Sequence, residues 1–145
     1  MDVNPKDTTR LETQHRTLLI LWVAFLSSIV MYFFLTFIMP REETDTNRIL
    51  TIVFSAIAVF LTGVSFVVKK KFFSRAIDEQ QPRLINTGFI LAAAFCEAGA
   101  LFGLVDFLVA HDRYYFLPIG VAFLGLLLHF PKRNDLEAAS FKKIS

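Results

Sequence analysis

Two acidic residues, Glu97 and Asp106, interrupt an apolar stretch that runs from Leu84 to Ala110. Glu97 stands midway between the two ends, so a helix that crosses a bilayer here would place its carboxyl near the midplane. An acidic side chain at that depth costs about 2.5–3.5 kcal/mol on insertion scales. Such a group is expected to be protonated, or to meet a donor or a cation on another helix. Glu97 is therefore the first candidate for an intramembrane polar or proton-binding site.

Two further polar residues of this stretch are placed by helical geometry. At about 100° per residue, positions eleven apart share one stripe, so Asn86 lies on the face of Glu97 and joins the candidate site. Asp106 follows Glu97 by nine positions, about half a turn off that stripe, which excludes a carboxylate dyad. It also lies within about one turn of the end of the stretch, where its carboxyl is expected to reach water. Asp106 is the weaker candidate.

The helix face that carries Asp106 is made of small residues. Gly99 and Gly103 form a GxxxG pattern, which lets two helix backbones approach closely. A helix with one polar face and one small-residue face is expected at the centre of a bundle, or where the protein docks onto another. The residues predicted to pack on this second face are Gly88, Ala92, Gly99 and Gly103.

Hydroxyl side chains on the first two apolar stretches are possible partners for Glu97. They recur at intervals of three, four or seven residues, which keeps each set on one side of a helix. Each hydroxyl could donate to a midplane carboxyl, or could instead bond to the carbonyl four residues back in its own helix. The first set is Ser28, Tyr32 and Thr36, and the second is Thr51, Ser55, Thr62 and Ser65.

The apolar residues as a whole are gathered into long blocks. Hydrophobic residues make up 54% of the chain and the mean hydropathy is +0.53, above the roughly 45–50% apolar content of soluble domains. Because the first two blocks are apolar on nearly all sides, they differ from the helices of a soluble bundle. The chain is predicted to be one all-α membrane domain, residues 1–145, with four transmembrane helices in an up-down bundle. The predicted spans are residues 18–39, 49–68, 84–110 and 114–130.

Lysine and arginine orient these spans. Most of them lie in the N-terminal tail, in the loop 69–83 and after Phe130, whereas only Arg41, Arg48 and Arg113 fall on the other side. By the positive-inside rule both termini and this loop are cytoplasmic. The protein is expected to be multi-pass in the cell membrane, inner or plasma. The loop 69–83 is either a solvated basic connector or includes a short surface helix over residues 75–81.

Several classes of function receive no support. A single cysteine, Cys96, excludes an internal disulfide, and no cysteine–histidine spacing suits a metal, so neither metal nor cofactor is expected. The net charge of +2 does not favour nucleic acid. The loops hold no nucleophile, base and ligand set of the kind an enzyme needs. His129, at the end of the fourth span, is expected to be an interfacial anchor or, alternatively, a proton relay.

One segment resembles a known family. Gln81-Pro82 and the run from Ile85 to Val105, which includes Ala-Phe-Cys-Glu97-Ala and Gly103-Leu-Val, look like the carboxylate-bearing helix of the proteolipid ring subunit of rotary ATPases. In that family the carboxylate binds the translocated H⁺ or Na⁺, and the resemblance implies that part for Glu97 alone. It covers residues 81–105 and does not extend to the second span, which has one glycine where the family has a glycine-repeat helix.

Two hypotheses for function follow. Short loops and a chain almost wholly in lipid favour an accessory, structural or assembly subunit of a larger membrane complex, whose partners are the lipid bilayer and other membrane subunits. The alternative is a small transporter, or a proton- or ion-translocating element, that uses the midplane carboxyl of Glu97. A stable large partner would favour the first hypothesis, and a lone monomer or homo-oligomer would favour the second.

Overall fold

The described part of the chain is built of helices alone. The computed structural model describes residues 5–40 and 46–140, with side chains from Thr9 onward. The all-α prediction is therefore confirmed for this part of the chain. Its five helices are α1 (Pro5–Ile38), α2 (Arg48–Asp78), α3 (Pro82–Val109), α4 (Phe116–Leu128) and α5 (Arg133–Ser140).

Three of these helices, α1, α2 and α3, are long and apolar enough to cross a membrane. Helix α4 has 13 residues, which at 1.5 Å per residue gives about 20 Å, short of a hydrocarbon core of about 30 Å. Helices α4 and α5 meet at a bend of 51° and pass as a fourth span only if they are counted together. The predicted span over residues 114–130 is thus the one that the helix bounds support least.

Two helices extend well beyond the predicted spans. Helix α1 begins at Pro5 rather than near Leu18, and α2 continues through the lysines at 69–71 to Asp78. Residues 69–78 are therefore neither a connector nor the start of a separate surface helix over 75–81. Lysine and arginine are good helix formers, so a basic run can end the apolar part of a helix without ending the helix. The turn comes at residues 79–81, where Gln80 has φ 52°, and Pro82 then opens α3.

Helix α3 is the central element. It contacts each of the other four helices. Within its apolar 18-residue stretch 44% of the residues are buried, whereas the corresponding share is 22% in α2 and 11% in α1. The expectation that this helix lies inside the bundle is confirmed for the described chain. Helix α1, by contrast, exposes most of its apolar surface.

The buried apolar residues form two clusters along the bundle. One cluster joins the beginnings of α1 and α3, the end of α2 and helix α5; it includes Leu11, Ala76, Phe89 and Leu136. The other joins the middle of α1 and α3 to α4. Helix α5 and the first turns of α1 therefore lie at the same end of the molecule.

Small residues decide how closely α3 approaches its neighbours. Gly88, Ala92, Gly99 and Gly103 are all buried. A Cβ on Gly103 would lie 3.0 Å from the backbone nitrogen of Ile119, whereas one on Gly99 would come no closer than 3.5 Å to the carbonyl oxygen of Ala58. A Cβ on Gly88 would lie 2.5 Å from the Cβ of Phe72. Gly88 and Gly103 therefore lie where a neighbouring helix would have to shift to admit a methyl group.

Candidate functional site

Glu97 on α3 is held by two hydroxyls of α1. The Ser28 hydroxyl donates a hydrogen bond of 2.5 Å to Glu97 Oε1, and the Tyr32 hydroxyl donates one of 2.9 Å to the same oxygen. The two donors lie one helical turn apart, so their side chains project from the same face of α1. Two of the three hydroxyls that the spacing aligns on the first stretch therefore contact the midplane carboxyl.

The third hydroxyl of this series, Thr36, makes other contacts. It donates to the carbonyl of Phe33 at 2.6 Å and lies 3.4 Å from the hydroxyl of Tyr115. A hydrogen bond to a backbone carbonyl of its own helix is the alternative to contact with Glu97 that the sequence leaves open for each such hydroxyl. The hydroxyls of α1 thus contact Glu97 of α3 at Ser28 and Tyr32, and Tyr115 at the start of α4 through Thr36.

Asn86 is on the predicted face but is not brought to Glu97. Eleven residues of helix separate the two side chains by about 16 Å along α3. The Asn86 Oδ1 atom is buried, and no described residue gives it a hydrogen bond. Asn86 and Glu97 therefore do not form one site.

Asp106 is fully buried, with a relative exposure of 0%. The Thr51 hydroxyl of α2 donates to its Oδ1 atom at 2.8 Å. The expectation that this carboxyl reaches water is wrong, because the start of α2 covers it. Just beyond, the backbone N–H of Asn47 donates a hydrogen bond to the carbonyl of Ala110. The expectation that Thr51 could serve Glu97 is wrong for the same reason. Each acidic residue of α3 thus receives a hydroxyl from a different neighbouring helix.

The remaining hydroxyls of α2 do not contact Glu97 either. The Ser65 hydroxyl donates to the carbonyl of Thr62 at 2.6 Å. The Ser55 hydroxyl and the Thr62 hydroxyl are buried without a hydrogen-bond partner among the described residues. Helical periodicity placed these hydroxyls on one side of α2, but that side faces the small-residue face of α3.

A second buried polar cluster was not predicted from the sequence. It joins three helices: Ser65 of α2 lies 2.8 Å from Nε2 of His129, which caps α4, and 3.5 Å from Sγ of Cys96 on α3. All three side chains have 0% exposure. One signal could have located it, because Ser65 and His129 each stand shortly before a basic run and so lie at similar depth. Gly125 lets α4 come close to α2 beside this cluster, since a Cβ on Gly125 would be 2.5 Å from Cγ2 of Thr62.

The hydrogen bonds of this cluster join its own side chains and backbone. The Ser65 hydroxyl donates to the Thr62 carbonyl and accepts from the Cys96 thiol. The tautomer of the His129 imidazole decides whether its Nε2 atom donates to Ser65 or accepts from it. The cluster holds three helices together and has no exposed side chain for a substrate to reach.

The described residues bring together no group of three or more histidine, cysteine, aspartate or glutamate side chains that could hold a metal. The arrangement around Glu97 can accept hydrogen bonds from α1 and can bind a proton. Comparisons of the chain with models of protein families, with curated proteins and with solved structures found no match.

Proposed function

We propose that this chain is a small multi-pass membrane protein that serves as an accessory or assembly subunit of a larger membrane complex. One observation carries the proposal: both carboxyls of α3 are engaged by hydroxyls of neighbouring helices, Glu97 by α1 and Asp106 by α2. Carboxyl–hydroxyl bonds of this kind fasten membrane helices to one another. The polar groups of the bundle then serve its own architecture, and its activity lies in what it binds.

The outer surface of α1 supports a docking role. Its last turns expose Phe34, Phe37 and Ile38, at 59%, 68% and 77% of their surface. Large aromatic side chains are enriched where proteins bind one another, because they bury much area at a low entropy cost. This face, more than the well-packed α3, is the one that a partner helix would cover.

The topology proposed with this function is four spans with both termini cytoplasmic. Support comes from the contacts of α5: Leu136 packs in one cluster with Leu11, and Nε2 of His15 lies 3.3 Å from the carbonyl of Pro131. Helix α4 therefore returns the chain to the end where α1 begins. The lysines and arginines concentrated at this end favour the cytoplasmic side of a cell membrane.

Purification of the tagged full chain in a mild detergent, followed by mass spectrometry, tests the proposal. We expect a larger membrane protein in a fixed ratio to the chain. The double substitution F34A/F37A should lower recovery of that partner several-fold, whereas V59A/F60A on the exposed face of α2 should not. A monomer or a homo-oligomer without a partner would contradict the subunit proposal.

A second candidate function is proton or ion translocation through Glu97. The observation that favours it is the row of hydroxyls on α1, where Tyr32 contacts the carboxyl and Thr36 contacts Tyr115 at the start of α4. Hydroxyls in such an order can relay a proton between a midplane carboxyl and the membrane surface. The resemblance of residues 81–105 to the proteolipid helix implies the same role for Glu97.

Reconstitution of the purified chain into liposomes that contain a pH-sensitive dye tests this second candidate. If Glu97 carries protons, E97Q should abolish the dye response to a pH gradient while the helical content stays unchanged. The matched control is D106N, which alters the other carboxyl of α3 and should leave the flux intact. Equal flux through the wild-type chain, E97Q and protein-free liposomes would exclude translocation by this chain alone.

A further inference from the structure

An apolar groove lies between α1 and α4. Its volume is about 420 Å³, within the range of roughly 300–1,000 Å³ that is usual for small-molecule sites. Ile29 and Ile119 form its floor and belong to the buried core. Three phenylalanine rings line the groove as well: Phe33, Phe116 and Phe123.

The groove exists because α4 has a glycine at this level. Gly120 lines the groove, and a Cβ built there would meet no atom within 4 Å. A Cβ at position 120 would therefore stand in open space beside the groove. Since Ile29 and Val30 lie past the middle of the apolar part of α1, this groove opens into the hydrocarbon region of a bilayer.

Two guanidinium groups lie near the ring of Tyr114, just before α4 begins. Arg113 donates to the Tyr114 hydroxyl at 2.9 Å, and its guanidinium carbon lies 4.9 Å from the centre of that ring. Arg48 approaches the same ring at 5.7 Å. The Tyr114 ring is in turn 6.3 Å from the ring of Phe116, which lines the groove. Both arginines therefore lie near Tyr114, two residues before the Phe116 that lines the groove.

We propose that the groove is a phospholipid site: one acyl chain occupies the space between α1 and α4, and the lipid phosphate lies against Arg113 and Arg48. An acyl chain is the apolar molecule that surrounds these helices, and it fills space that would otherwise lose its dispersion contacts. A guanidinium group matches the phosphate in charge and in hydrogen-bond geometry. A phospholipid joins an anionic phosphate to a long apolar tail at a membrane surface, which is the combination that this groove and its arginines require.

Photolabelling of the full chain tests this site. The protein is reconstituted in phosphatidylcholine vesicles that contain an increasing fraction of anionic phosphatidylglycerol with a diazirine in one acyl chain. After illumination, mass spectrometry maps the labelled peptides. We expect a saturable component on residues 116–123 and 29–33, above a background that rises in proportion to the probe. The substitution G120L should remove the saturable component by filling the groove.

The chain supplies matched controls. Gly63 on α2 is also exposed, and a Cβ added to it would meet no atom within 4 Å, so G63L should keep the saturable labelling. R113Q should lower it about fivefold, as expected for one cation near a lipid surface at about 1 kcal/mol, whereas R83Q should not. Labelling that never saturates, or that G120L leaves unchanged, would overturn the proposal. Efficient disulfide dimerisation of G120C would assign the groove to a second copy of the chain and would overturn it too.

Discussion

At the scale of single residues, the two carboxyls of α3 influence which helices pack beside it. Glu97 and Asp106 sit on opposite faces of α3, and each accepts a hydrogen bond from a different helix. A buried acceptor without a donor would cost about 1–3 kcal/mol. The hydroxyls of Ser28, Tyr32 and Thr51 therefore determine which helices can lie beside α3 as much as the apolar surfaces do.

The Glu97 site predicts a contrast between two substitutions. E97Q keeps a carbonyl oxygen that can accept from Ser28 and Tyr32, so it should change the free energy of unfolding little. E97L leaves both hydroxyls without this acceptor and should destabilise the protein by about 1–3 kcal/mol. Unfolding by sodium dodecyl sulfate in mixed micelles measures both values. If E97Q and E97L are equally destabilised, the hydroxyl contacts do not stabilise the fold.

The cluster of Ser65, Cys96 and His129 leads to a second prediction. S65A removes the hydrogen-bond partner of the buried Nε2 atom of His129, so we expect a loss of about 1–3 kcal/mol in the same unfolding assay. The control is S27A on the exposed face of α1, which should be nearly neutral. An unchanged stability for S65A would show that the imidazole finds another partner.

At the scale of helices, α3 acts as the element onto which the others pack. Its small residues let α2 and α4 come close, while its polar face meets α1. The GxxxG pattern is shared between two neighbours, since Gly99 contacts Ala58 of α2 and Ala122 of α4, whereas Gly103 contacts Pro118 and Ile119 of α4. The close packing of the neighbouring helices on α3 therefore depends on the two glycines to different degrees.

Alanine substitution distinguishes Gly99 from Gly103 experimentally. G103A should destabilise the protein by about 1–3 kcal/mol, because the new atom would lie 3.0 Å from the backbone nitrogen of Ile119 and α4 would have to shift. G99A should be tolerated, because its Cβ would make ordinary contacts at 3.5 Å or more. Thermal unfolding in detergent, followed by circular dichroism, compares them. A larger effect for G99A would mean that α4 does not pack against Gly103 as described.

At the scale of the whole molecule, one end is a small helical platform. Helix α5, the first turns of α1, the last turns of α2 and the start of α3 share a core that includes Leu11, Ile85 and Leu136. Most of the lysines and arginines that the structure describes lie at this end. We expect this platform to stand on the cytoplasmic side, with the connection between α3 and α4 on the other.

Cysteine labelling in intact cells tests this orientation. In a C96A background, an impermeant maleimide should react with T46C from outside and should reach K70C only after the cells are opened. Both positions are exposed, so accessibility of the side chain itself does not limit the reaction. Labelling of K70C in sealed cells would invert the orientation.

The sequence by itself determined the class of this protein and the centre of its bundle. Four apolar blocks predict membrane helices, and two opposed faces on one block predict that α3 lies inside, because both properties depend only on hydropathy and helical periodicity. The same spacing placed Ser28 and Tyr32 on one stripe of α1, which does meet Glu97.

The tertiary structure alone decided which side chains meet. Periodicity gives the direction of a side chain but not the rotation or depth of the neighbouring helix. For that reason Thr51 contacts Asp106 rather than Glu97, and Asp106 and Asp112 are buried although both stand near the end of α3. The pairing of Ser65 with His129 spans two helices that are distant in the sequence, so no local pattern carries it. Helix α5 likewise packs against α1, α2 and α3 at the end where α1 begins, which no local pattern indicates.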